Sequence, residues 1–237
     1  MATMHELLRR YRALLTSLDQ WFAAQQGEMP NAIVCADGCS GCCRGLFDIS
    51  LLDACLLRAG FDQLPAVIRA GVVAKAETRL VDLQERWPGF SPPYLLNHMD
   101  DSLWTEMPEN DLTPCPLLDP AGRCLVYAYR PMTCRLHGLP QIDLSGEIFL
   151  GEWCSRNFIG LNPLEIDKLR HDFQQLFTEE FILLRAFAKE LCGLDSAELD
   201  TFIPLAMLID FDGFDWQAWG EQQRADFHRA GHESAGF

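Results

Sequence analysis

Four thiols stand within nine residues in "CADGCSGCC", residues 35–43, where Cys35, Cys39, Cys42 and Cys43 follow the spacing C-x3-C-x2-C-C. Cys115, Cys124 and Cys134 form a second group downstream, and Cys154 brings the set to eight. Close spacing lets a turn of backbone aim several sulfurs at one point, and a distant group then closes the coordination shell. The glycines between the first four thiols permit the tight backbone that wraps a metal. The chemistry this pattern suits is the binding of a soft metal, as zinc or as an iron–sulfur cluster. Four thiolates fill the shell of one zinc or one cubane. Eight therefore imply either two sites or a set in which some sulfurs stand behind the ligands. Adjacent Cys42 and Cys43 do not easily share one tetrahedral zinc but can serve different irons or different sites. This favours an iron–sulfur cluster, most simply 4Fe–4S, with zinc as the alternative.

Two cysteines are set aside. Cys55 and Cys192 lie on apolar helix faces and are expected to be buried thiols that act as small hydrophobes. Of the six histidines, only His137, three residues after Cys134, is placed to reach a metal. It is expected beside the ligands or facing solvent rather than among them. Pro131 pre-sets a first helical turn that contains Cys134, where free N–H groups favour a thiolate. Arg130 and Arg135 flank that turn as candidate cofactor-binding residues that offset the charge of an anionic centre. The alternative for both is pairing with the abundant carboxylates.

"CSGCC" (39–43) followed by "CPLLDPAGRCLVYAYRPMTCR" (115–135) resembles the YkgJ-type cysteine-cluster family of zinc- or iron-chelating proteins. That family carries CxxCxxCC, then C-P-x-L, a cysteine before an aliphatic-Tyr pair, and R-P-x-x-C-R. The likeness is close over 39–43 and 115–135 and holds in outline over 35–155. The first cysteine departs from it, standing at Cys35 where the family spacing falls on Ala36. The resemblance implies a metal or cluster held by these cysteines. It extends to flagellin lysine methylases, which bear a related cluster and use S-adenosylmethionine, so cluster-dependent protein methylation is one activity it implies. No glycine-rich nucleotide motif, Ser-His-Asp order or phosphate loop is visible. A redox or cluster-dependent enzyme and a zinc-chelating module acting on a protein partner both remain open.

The elements that position these residues are mostly helical. Residues 4–22 carry apolar residues at helical spacing behind a Thr3/Glu6 capping box, and Gly27 closes the segment. A second helix is expected from Leu51 behind Ser50 and Asp53, stopping at Gly60, and a third from Pro65 to Trp87. Residues 94–113 read as a short helix and then a loop. Asp119-Pro120-Ala121-Gly122 suits a type I turn in a small hairpin, and Ser145-Gly146 marks a second. Helices are expected again over 163–192, 196–210 and 215–230. The fold class is therefore mainly α (α+β), a helical domain with a small β-hairpin cysteine module. The expected organisation is one compact domain over 1–237, with the metal-binding module at 31–157 and helical flanks at 1–30 and 158–237.

Composition narrows the function classes. Of 237 residues, 49% are hydrophobic, which marks a globular chain. Nineteen basic against 34 acidic side chains give a net charge of -15, so nucleic acid is not expected as a partner. No stretch has the length and apolarity of a membrane span, and no apolar leader is visible at residues 1–27. The expectation is a cytoplasmic protein without membrane contact, a setting in which dense cysteines mean metal or redox chemistry more often than disulfides.

Overall fold

The computed structural model describes residues 3–98 and 111–233. About half of the chain is helical, with two small antiparallel sheets, so the fold is mainly α with minor β structure. Most of the loop expected between 94 and 113 lies outside the described residues. Its first part is a single 3-10 turn at Leu96–His98.

Helix α1 spans Met4–Glu28. Thr3 caps it by accepting from the Glu6 N–H at 3.3 Å, and its buried face is Leu7, Tyr11, Leu14, Leu15, Leu18 and Gln25. Helix α2, Leu51–Phe61, starts behind Ser50, which accepts from the Asp53 N–H at 3.1 Å. It is buried almost all round, and Leu51, Leu52 and Leu57 each contribute about 1.5–3 kcal/mol by leaving water. Gly60 does not end this helix. It is a contact instead: a Cβ there would run into the Tyr129 ring, so only glycine admits the ring that anchors residues 127–129. Helix α3, Ala66–Arg86, is bounded by Pro65 and Trp87 as the sequence predicts. Val72, Ala76, Leu83 and Trp87 of its stripe are buried, whereas Ile68 is exposed.

The middle of the chain is built from short pieces. Leu118 bridges Cys124 in antiparallel fashion around a turn closed by Gly122 N–H to Asp119 O at 3.0 Å. Helix α4 is a single short run, Met132–Leu136, entered through Pro131. Strands β2 (Gln141–Ile142) and β3 (Ile148–Leu150) form the second hairpin. Its turn is held by Asp143, whose carboxylate accepts from the Ser145 N–H at 2.8 Å and the Gln174 N–H at 3.1 Å. Those bonds lower its pKa to about 2.

Two helices expected from the sequence are shorter or absent. Residues 163–172 make two 3-10 turns, Pro163–Glu165 and Asp167–Leu169, and helix α5 begins only at Phe173, running to Cys192. His171 is drawn into a bridge with Asp143, and Asp172 caps the true start by accepting from the Gln175 N–H at 3.0 Å. Residues 196–210 are not a helix: Asp200–Phe202 is strand β4, paired antiparallel with β1 at Asp48–Ser50, and only Leu205–Met207 turns as a 3-10 segment. Pro204, without an N–H, separates strand from turn. Helix α6 spans Trp216–Glu233.

Helix α1 packs on α5 and α4, α2 on α5, and α5 on α6. The main core runs from Leu7 of α1 to Trp216 of α6 and takes in Leu117, Val126, Met132 and Leu136 of the cysteine-bearing middle. A small separate core gathers Ile33, Leu139, Ile142, Phe158 and Leu169, residues close in sequence to Cys35, Gly138 and Cys154. Among the described residues no helix is long and apolar enough to cross a membrane.

Candidate metal centre

Two successive tight turns carry the first four thiols. Cys39 N–H donates to Ala36 O at 2.9 Å, and Cys43 N–H to Ser40 O at 3.1 Å. Cys43 then receives the second group: its carbonyl accepts from the Cys115 N–H at 2.9 Å, and Arg44 bridges Pro114. Cys115 and Cys124 sit on the two arms of the hairpin, and Cys134 follows on α4. All ten cysteines are free thiols.

Seven of the eight sequence-predicted ligands border one hollow of about 110 Å³: Cys35, Cys39, Cys42, Cys43, Cys115, Cys124 and Cys134. Cys154 lies just outside it. Its Cβ and the Cys35 Sγ stand 3.7 and 3.1 Å from the point where a Cβ on Gly138 would be, a position that the backbone reaches at φ +110°. Side chain there would push these two apart. A smaller hollow of about 60 Å³ adjoins, lined by Cys42, Cys43, Cys115, Cys134, His137 and the apolar Phe47 and Ile203. As the side chains stand, no three His, Cys, Asp or Glu among the described residues are drawn together tightly enough to hold a metal ion. The donor set nevertheless suits a soft metal.

Cys35, Cys42, Cys115, Cys124 and Cys134 are held protonated at neutral pH. Burial pushes Cys35 and Cys115 up to about 11 and raises Cys124. Cys42 is raised by its hydrogen bond with Cys43 and by burial. Cys134 is exposed where it faces the hollows, yet the protein around it and the negative field of Cys115 and Asp53 raise it strongly. The short turn of α4 therefore does not by itself favour a thiolate at Cys134, contrary to the expectation from its position. A bound cation reverses this logic by displacing the protons.

Several residues that surround the thiols carried no local sequence signal. Asn157, 1% exposed, donates through Nδ2 to Cys35 Sγ at 3.2 Å and to Gly138 O at 2.7 Å, and accepts the Val34 N–H at 3.0 Å. Arg156 Nη1 lies 3.3 Å from Cys39 Sγ. The backbone at Leu117 and Val126 pulls the thiols of Cys115 and Cys124 down, against the larger effect of burial. Such donors stabilise sulfur as an anion.

Arg130 and Arg135 line the larger hollow, but their guanidinium groups are engaged by Asp19 of α1. Arg135 also donates to Arg130 O at 2.9 Å and Ala128 O at 3.0 Å, and Arg130 lies 3.9 Å over the Tyr127 ring. The pairing with carboxylates is thus realised, at a buried position for Arg135 rather than on the surface. His137 lines both hollows and packs edge-on to Phe47 at 5.6 Å; burial lowers its pKa. Cys192 is fully buried with its thiol donating to Ala188 O at 3.1 Å, and Cys55 is half-buried against the main core. Neither borders the hollows.

No family model matches this chain, and neither does any curated protein or solved structure.

Proposed function

We propose that this chain is a cytoplasmic metal-binding protein that holds iron, most simply as a 4Fe–4S cluster, through Cys35, Cys39, Cys42, Cys43, Cys115, Cys124, Cys134 and Cys154. The observation that carries this reading is the meeting of seven of these thiols, from three separated segments, around a single hollow. The hollow of about 110 Å³ has room for several water molecules, more than one directly ligated ion occupies and nearer the needs of a cluster. Thiolates supply the charge a cluster requires, and the N–H donors of Asn157 and Arg156 face sulfur. When bound, such a cluster would supply one-electron chemistry. Redox or cluster-dependent activity, with protein methylation among its forms, is the class proposed, in keeping with the resemblance to the YkgJ-type proteins.

Zinc as a structural staple is the second reading. One observation favours it: residues 36–45 and 113–126 are joined by isolated bridges and turns rather than by long strands, a framework that a four-thiolate ion would cross-link. Anaerobic purification with metal and acid-labile sulfide analysis separates the two. Iron with sulfide supports the first reading. Zinc without sulfide sinks it in favour of the second, and a chain that takes up neither refutes both.

A further inference from the structure

The eight thiols divide by what holds them. Cys35, Cys39 and Cys154 are tied to one another through the loop at 154–157. Asn157 donates to Cys35, Arg156 donates to Cys39, and the Cys154 N–H reaches Gly138 O at 3.4 Å, beside the same Asn157. Cys35 and Cys154 meet across Gly138. Cys115, Cys124 and Cys134 are tied to one another differently. The first two sit on the two arms of one hairpin, and Met132, two residues before Cys134, packs in the same core as Leu117 and Val126. The smaller hollow touches Cys115 and Cys134, though not Cys124, and none of Cys35, Cys39 and Cys154.

Between the two groups stands the vicinal pair. Cys42 and Cys43 line both hollows. Consecutive residues do not easily direct two sulfurs to neighbouring corners of one tetrahedron, whereas they readily serve two centres on either side of the backbone. Three thiols and one of the pair on each side make four plus four, which is the full shell of a zinc ion or a cubane twice over.

Building on the metal-binding reading above, we infer that the chain holds two adjacent thiolate centres, an outer one drawing on Cys35, Cys39 and Cys154 and an inner one on Cys115, Cys124 and Cys134, each completed by one thiol of the Cys42–Cys43 pair. The outer centre takes N–H donors from the side chains of Asn157 and Arg156, and the inner group is held by the 115–124 hairpin and α4. They are therefore separable by mutation.

The test is zinc titration of the full-length chain, reduced and stripped of metal, against a chromophoric chelator. The wild type is expected to take two equivalents. Cys154→Ser and Cys35→Ser should each take one, Cys115→Ser and Cys124→Ser should each take one, and the double variant Cys154→Ser/Cys124→Ser should take none tightly. Cys192→Ser, outside both groups, should still take two, and a retained helical circular dichroism signal in each variant shows that the loss is local. Saturation of the wild type at one equivalent overturns the two-centre inference and leaves the metal-binding reading intact. So does a Cys154→Ser variant that keeps both equivalents. A wild type that takes up no zinc, and no iron on anaerobic reconstitution with sulfide, overturns both.

Discussion

Asp19→Ala should weaken the protein more than its place on a surface helix suggests. Asp19 is the acid that both Arg130 and Arg135 engage, and through them α1 grips the segment that carries Cys134. Arg135 is 4% exposed, so its charge has left water, while Asp19 remains 39% exposed. Removing the partner of a fully buried charge costs about 3–5 kcal/mol. Here water reaches the acid's side, and Arg135 keeps its bonds to Arg130 O and Ala128 O, which lowers the cost to about 2 kcal/mol. In a chain of this size that corresponds to a fall of about 4–8 °C in Tm. Urea and thermal unfolding of the as-purified protein measure it, and Arg135→Met alone and combined with Asp19→Ala gives the coupling between the two. The metal content of Asp19→Ala should match the wild type, because these arginines act as a clamp. A loss under about 0.5 kcal/mol would refute the reasoning. Metal loss at unchanged stability would show instead that the arginines serve the bound centre.

Three further outcomes are expected. Asp53 and Glu180 are both raised to about 7, first by burial, and Tyr11 OH donates to Glu180 at 3.1 Å. The native chain thus keeps protons that the unfolded chain has released, so this pair's contribution to stability falls as pH rises from about 4 to 7 and levels off above. Glu180→Gln should flatten that slope relative to wild type in urea midpoints at pH 5, 6, 7 and 8, and identical slopes would contradict it. Cys55→Ser and Cys192→Ser should keep full metal content while losing about 1–2 kcal/mol of stability; metal loss in either would misplace the site. With a net charge of -15, no salt-sensitive binding of DNA or RNA is expected near physiological ionic strength, and a mobility shift that weakens with added salt would reveal a segregated basic face.

The parts of this fold that were legible in the sequence are those written in neighbouring residues. Thr3 and Ser50 announce their helices because a capping oxygen works within three residues, and Pro65 and Trp87 bound α3 for similarly local reasons. Both hairpin turns were readable from Asp-Pro-Ala-Gly and Ser-Gly. The strand Asp200–Phe202 was not, because its partner Asp48–Ser50 lies some 150 residues earlier and its flanking apolar residues recur at helical spacing. The late start of α5 had the same cause, a long-range bridge from His171 to Asp143. At the site, thiol spacing pointed to Cys35 through Cys43 and to the second group. Asn157, Arg156 and Asp19 carry no motif of their own, and their roles appear only when the folded chain brings residues 35, 39, 130 and 135 to them.

The claim that these cysteines hold a metal is tested most directly by X-ray absorption at the edge of whatever metal the anaerobically purified protein contains. The expected result is a first shell made of sulfur, at about 2.3 Å, with little or no nitrogen or oxygen. A shell dominated by nitrogen or oxygen at about 2.0–2.1 Å would contradict the claim, because it would place the metal on residues other than the cysteines around this hollow.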